Sequence, residues 1–270
     1  MPKISVITIT ARDLRLSKQV EALSRQTFQD FEWIVVDDKR DEHQIVAPFP
    51  FKHIYPKVVR TYTAHNEANN TGLIHAQGEL VILMSDYMIY GSGVLAEHWR
   101  IYQKYPKSFV ASTAIHAGID TFEVSEIDTK FTKEQDIRRS QVLPQVQYYE
   151  VLEPGVYRFP GRRANRGWYG KNDSAPLSAF LDLNGLDELL DGGRYDSDAQ
   201  MGERFYNYGY RYIFTEHTIA IETDHLGLAK ECMKFVPDYH KYIEEYVTSG
   251  NIYPGHQHDL KKMREELNHG

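Results

Sequence analysis

The chain has 270 residues, a formal net charge of −7, 41% hydrophobic and 26% charged residues, and one cysteine. These are globular proportions and exclude a fibrous or disordered chain, and the acidic balance argues against a broad nucleic-acid groove, which shows as net or clustered positive charge. The lone Cys232 excludes an internal disulfide and any Cys-based zinc cluster, and it fits a reducing compartment. The longest apolar run, Leu80 to Met84, is too short to span a bilayer. The opening Met-Pro-Lys-Ile-Ser-Val has no signal-peptide core, so a soluble, cytoplasmic protein is expected.

Ile4-Ser5-Val6-Ile7-Thr8-Ile9-Thr10 is rich in β-branched residues and reads as a buried first strand running into the polar Thr10-Ala11-Arg12-Asp13. Leu16, Val20 and Leu23 recur at helical spacing and predict an amphipathic helix over about 15–26. Phe31 to Val36 reads as a second buried strand that stops at Asp37-Asp38. A strand–helix–strand unit this short implies parallel pairing. A helix over 66–77 is stopped by Gly78, and Glu79 to Met84 forms a third buried strand ending at Ser85-Asp86-Tyr87. A helix over about 92–104 and a strand near Phe109 to Thr113 follow. Residues 116–175 are less regular, 176–206 read as helical, Tyr210 to Phe214 as a strand, and 237–269 as charged and helical with a break at Pro254-Gly255.

Three strands therefore end in polar residues, at Thr8 and Thr10, at Asp37 and Asp38, and at Ser85 and Asp86. Ligands of open parallel sheets bind outside the carboxyl ends of the strands, so these three places converge on one candidate site. Thr8, Thr10 and Arg12 are expected to line a pocket there. The alternative for Asp37 and Asp38 is a turn or a helix N-cap. No dinucleotide-binding, P-loop, nucleophile-elbow or zincin motif occurs.

The order of four blocks resembles the family 2 glycosyltransferases of the GT-A fold, over about residues 3–226. The first block is Ser5 to Thr10 with Gln26-Thr27-Phe28-Gln29-Asp30-Phe31-Glu32-Trp33-Ile34-Val35-Val36-Asp37-Asp38. The second is Asn70-Thr71-Gly72 with Ala76-Gln77-Gly78-Glu79. The third is Ser85-Asp86-Tyr87, at the place of the family's D-x-D. The fourth is Asn184-Gly185-Leu186-Asp187-Glu188 with Asp198, Arg204 and Gly209-Tyr210-Arg211. The chain departs from the family pattern at the D-x-D, reduced to Asp86, at the E-D, which is Ser197-Asp198, and at A-R-N, whose arginine is Asn69.

The resemblance implies an α/β fold with a mostly parallel central sheet, helices on both faces and a C-terminal helical segment. The expected organisation is a GT-A domain over 1–230, with a nucleotide-binding half (1–115) and an acceptor-binding half (116–230), and an extension over 231–270. The implied activity is transfer of a sugar from a nucleoside-diphosphate sugar, a UDP-sugar by preference, to a hydroxyl of a glycan or other acceptor. A hexosyltransferase-like, inverting reaction is favoured, and retention stays open. Nucleotide binding is assigned to Thr8, Thr10, Arg12, Asp37, Asp38, Asn69, Ser85 and Asp86, with Asp38 favoured for the base. Asp86 and His225 are expected to hold Mn²⁺ or Mg²⁺, with Asp224 and His217 as alternatives. Asp198 is the expected general base and Asp196 its competitor. Arg163, Trp168, Asn172, Asp173 and Asp196 are assigned to donor sugar or acceptor. The rival readings are a non-catalytic sugar-nucleotide-binding domain and a nucleotidyltransferase. The latter would need a glycine-rich loop after the first strand, where Thr10-Ala11-Arg12-Asp13-Leu14 has no glycine. A homo-oligomer is compatible with the sequence.

Overall fold

The computed structural model describes residues 1–11, 16–57, 64–131, 149–160, 172–191, 197–223 and 258–269. The first β-branched run forms β1 (Ile4–Thr10), which pairs in parallel with β2 (Phe31–Asp37) on one side and β4 (Leu80–Ser85) on the other. Strands buried on both faces read as continuous apolar runs rather than alternating ones, and all three do. β3 (Phe51–Ile54) continues the parallel set beyond β2. It is a half-exposed edge strand of four residues, too short to show in the sequence pattern.

Two helix layers cover the sheet. Ile4, Val6, Trp33, Val35 and Ile82 pack against Leu16 and Leu23 of α1 (Leu16–Ser24) and Val94 and Leu95 of α3 (Val94–Lys104). Ile7, Ile34, Val36 and Leu83 face the opposite layer. That layer holds α2 (His65–His75), α5 (Leu177–Asp182), α6 (Ser197–Asn207) and α7 (Leu260–His269). Helix α2 is polar along most of its length yet buried, because its polar groups have internal partners. Asn70 donates Nδ2 to Leu186 O at 2.8 Å and accepts Leu186 N on Oδ1 at 2.7 Å. Gly72 lets the helix approach β1, since a Cβ there would stand 2.4 Å from Ile7 Cγ2.

The strand order is β3-β2-β1-β4-β9-β6-β10-β8-β7, with β5 (Met88–Tyr90) paired to one end of β10 (Arg211–Thr223). β6 (Ser108–Ala117) and β10 run in the direction of β1 and β4. β9 (Asn172–Pro176) is antiparallel between β4 and β6, and β8 (Val156–Phe159) is antiparallel to β10. The sheet is thus largely parallel with helices on both faces, as the sequence implied.

The second half departs from the sequence reading in detail. The described parts of 116–175 include a short helix α4 (Ile127–Lys130) and a hairpin of β7 (Glu150–Glu153) and β8 that turns at Gly155, where φ is 76°. Residues 176–206 are not one helical run but α5, a 3-10 turn (Glu188–Leu190) and α6. β10 runs well past Phe214, because Glu216, His217 and Thr218 bulge out between Thr215 and Ile219 and hide the alternation.

The last helix joins the main core. Leu260 is fully buried against it, and Asn184 Oδ1 accepts Leu260 N at 2.9 Å, capping α7. Asn184 and Gly185 take φ of 58° and 69°, the left-handed region that favours asparagine and glycine. Arg204, fully buried, donates to the carbonyls of Gly185 and Leu183 and locks this corner to α6. Arg264 donates to Ile74 O at 3.0 Å and to Ala76 O, at the end of α2.

Candidate active site

The carboxyl ends of β1, β2 and β4 share one edge, which brings together Thr10, Asp37, Asp38, Ser85 and Asp86. Thr10 is the register partner of Asp37, and Ile9 that of Ser85. Asp86, only 3% exposed, accepts a hydrogen bond from Thr10 Oγ1 on Oδ2 at 2.9 Å. Gln19 of α1 donates Nε2 to Ser85 O at 2.9 Å and to Met88 O at 3.0 Å, which fixes the backbone on both sides of Asp86. Thr8 lies beneath this edge. It is fully buried, and its hydroxyl accepts from Trp33 Nε1 at 2.9 Å, so its described partner belongs to the core.

Asp37 is fully buried, with Oδ1 accepting Lys39 N at 2.8 Å and Oδ2 in contact with His43 Nδ1 at 2.7 Å and His53 Nε2 at 2.8 Å. Asp38 faces outward at the strand end, and its backbone N–H donates to Thr10 O at 3.1 Å. Partial loss of water around its carboxyl, and secondarily the Asp37 charge, push its pKa up. Sequence reasoning missed His43 and His53, because neither sits in a motif and the strand that carries His53 is an edge fragment.

β9 enters at the same edge. Asn172 pairs in register with Met84 and Asp173 with Leu83, so the strand begins beside Ser85. Both side chains are buried. Asn172 Nδ2 donates to Ser112 Oγ, and Ser174 Oγ contacts His98 Nδ1 at 2.7 Å. Burial lowers the pKa of His98 to about 4 and keeps this imidazole neutral. β10 ends here too: Thr223 donates both its N–H and its hydroxyl to Tyr87 O at 2.9 Å, next to Asp86.

The N-terminus of α2 also points to this edge. Asp191 accepts Asn66 N at 2.8 Å and Glu67 N at 3.0 Å, so the helix end that would suit a phosphate already holds a carboxylate. Burial, aided by the charges of Glu188 and Glu67 and opposed by those two N–H groups, raises the Asp191 pKa to about 7. Asn69, nearly buried on the same helix, donates Nδ2 to His65 O at 2.9 Å. Asp187 accepts Leu189 N at 3.0 Å and Gln200 Nε2 at 3.0 Å, a bracing role. His217 contacts Pro154 O through Nε2 at 2.7 Å, in the β10 bulge at the β7–β8 turn, away from Asp86.

Arg12, Arg163, Trp168, Asp196, Asp224 and His225 lie outside the described residues. Asp198 stands in the first turn of α6, and its side chain is likewise outside them. Among the described residues no three His, Cys, Asp or Glu side chains converge to hold a metal ion. A Mg²⁺-type site needs only one or two protein carboxylates when phosphates and waters complete the shell, so the Asp86 edge suits such an ion as a partial ligand set.

The family model described as glycosyl transferase family 2 matches residues 5–159. The chain belongs to glycosyltransferase family 2. No curated protein matches the sequence. Residues 1–349 of S. aureus TarS in complex with UDP-GlcNAc superpose with a TM-score of 0.63 at 11% identity, over 98% of this chain and 71% of that one. A longer S. aureus TarS structure gives a TM-score of 0.60 at 12% identity, over 98% of this chain and 43% of that one. GalNAc-T7 with UDP, GalNAc and Mn²⁺ gives 0.60 at 14% identity, over 99% of this chain and 54% of that one. The chain therefore spans about half the length of the longer TarS and GalNAc-T7 structures. At these identities the likeness is one of fold, the GT-A type. Within this family-2 chain no helix among the described residues is long and apolar enough to cross a membrane.

Proposed function

We propose that this chain transfers a sugar from a UDP-sugar to an acceptor hydroxyl with inversion, and that the transfer depends on a divalent cation. The observation that carries this reading is Asp86, a buried carboxylate at the carboxyl edge of a largely parallel sheet, oriented by Thr10. Asp86 would hold Mn²⁺ or Mg²⁺, with His225 as second protein ligand, and the ion would offset the charge of the leaving diphosphate. β10 supports the His225 assignment, because its end at Thr223 is tied to Tyr87. The Asp38 carboxylate would accept from the nucleobase, and Arg12 and Asn69 would complete the nucleotide pocket.

Asp198 acts as general base in this reading. It takes the acceptor O–H proton as the oxygen bonds to the anomeric carbon and the bond from that carbon to the diphosphate oxygen breaks. Its place in the first turn of α6 supports the role, since the partial positive charge there favours the ionised carboxylate that a base requires. Asp196, Arg163, Trp168, Asn172 and Asp173 are assigned to the donor sugar and acceptor. UDP release from a panel of UDP-sugars with Mn²⁺, with and without simple glycan acceptors, tests the proposal. Release with at least one donor is expected. Nucleotide binding without release from any donor would favour a non-catalytic sugar-nucleotide-binding domain.

A further inference from the structure

We propose that His43 and His53 are positioning residues for the nucleobase end of the donor site; this rests on the donor-site reading above. Asp37 accepts from three donors, and a carboxylate can only accept, so each imidazole turns a ring N–H toward Oδ2. One donor, Lys39 N, is enough to close the turn after β2. The two imidazoles do something further: through Asp37, His53 binds the end of β2 to the edge strand β3, and His43 binds it to the segment that follows the turn. A second tie runs the same way, from Arg40 Nε to His53 O at 2.7 Å.

The turn braced in this manner carries Asp38. Both oxygens of Asp37 are engaged by the chain's own donors, and Asp37 is fully buried, whereas Asp38 faces outward beside Thr10. Asp38 is then the carboxylate that meets the base. Its acceptor oxygens suit the imide-type N–H of uracil, thymine or guanine, and they clash with the ring-nitrogen acceptor that cytosine presents at the corresponding edge. Displacement of the turn by about 1 Å weakens such a readout without emptying the phosphate end of the site. His43 and His53 thereby set base preference without touching the base.

Two variants remove the N–H donors (His43→Leu, His53→Leu) and two keep an N–H at the same place (His43→Asn, His53→Gln). Calorimetry with Mg²⁺ gives the affinity of each for CDP and for whichever of UDP, dTDP and GDP the wild type prefers. The leucine variants should lose about 10-fold in preference over CDP, the scale of one hydrogen bond to a charged group, and the amide variants should keep it. Imidazole NMR of the wild type gives a readout that does not depend on variant folding. The preferred nucleotide should move both ring signals, and Mg²⁺-pyrophosphate should move neither. Unchanged preference in folded leucine variants, or ring signals unmoved by bound nucleotide, overturns the assignment of His43 and His53 alone. A wild type that binds none of the four nucleotides overturns the donor-site reading and this assignment with it.

Discussion

Thr10 Oγ1 donates to Asp86 Oδ2 across 2.9 Å, joining the end of the first strand to the carboxylate that follows the third of the long parallel strands. The two residues are 76 positions apart in sequence. Parallel pairing of β1 with β4 places them side by side at one edge. Thr10→Val keeps the shape and removes the donor. The expected outcome is a loss of roughly 10-fold in metal-dependent nucleotide affinity, the scale of one hydrogen bond to a charged group, with the fold intact. Calorimetry with UDP and Mn²⁺ checks it, and unchanged affinity would show that Asp86 needs no help from Thr10.

Asp198→Asn should leave donor affinity near wild type and lower turnover by about 10²–10⁴-fold, the usual scale for a lost general base. Initial rates under saturating donor decide this. Turnover that survives the substitution moves the role to Asp196 or another group.

Leu260 anchors the last helix in the main core. Leu260→Ala should cost about 2–5 kcal/mol, as for other fully buried leucines. Urea denaturation measures the loss. A cost well under ~1 kcal/mol would mean that α7 adds nothing to the fold, contrary to its capping by Asn184 and its tie through Arg264.

Two buried titratable groups should tilt the pH dependence of stability in opposite directions. The Asp191 pKa is raised from 3.8 to about 7, so its contribution is complete at low pH and is lost as pH rises through about 7. The His98 pKa is lowered from 6.5 to about 4, so its contribution is complete above about 6.5 and is lost as pH falls toward 4. Between about pH 4 and 6.5, Asp191→Asn should therefore make stability rise more steeply with pH than in the wild type, and His98→Gln less steeply. Thermal midpoints across this range test both, and two profiles parallel to the wild type would contradict the assignments.

The parallel half of the fold was legible because β1, β2 and β4 are buried on both faces and announce themselves as apolar runs. Their polar ends located the edge that holds Thr10, Asp37 and Asp86. Several family-like residues prove to be architectural. Asn70 holds the backbone of Leu186, Gly72 lets α2 meet Ile7, Asn184 caps α7, and Arg204 binds the corner around Gly185. β3 and β5 were too short to leave a period, and the bulge at Glu216 to Thr218 concealed β10. The bracing of Asp37 by His43 and His53 was not legible at all, since His53 sits on an edge strand whose pairing no local pattern reveals and His43 in the loop before it. The same holds for the buried His98, whose contact with Ser174 joins α3 to β9.

On the proposed reading, this family-2 chain binds a nucleoside diphosphate through a cation at Asp86. The most direct test is thermal stability of the wild type and Asp86→Ala with UDP, GDP and dTDP, each with and without Mn²⁺. A ligand present at 100 times its dissociation constant adds about 2.7 kcal/mol, a shift of several degrees at this size. A Mn²⁺-dependent rise with UDP is expected in the wild type and none in Asp86→Ala. A rise that is independent of the metal, or equal in the two proteins, would contradict it.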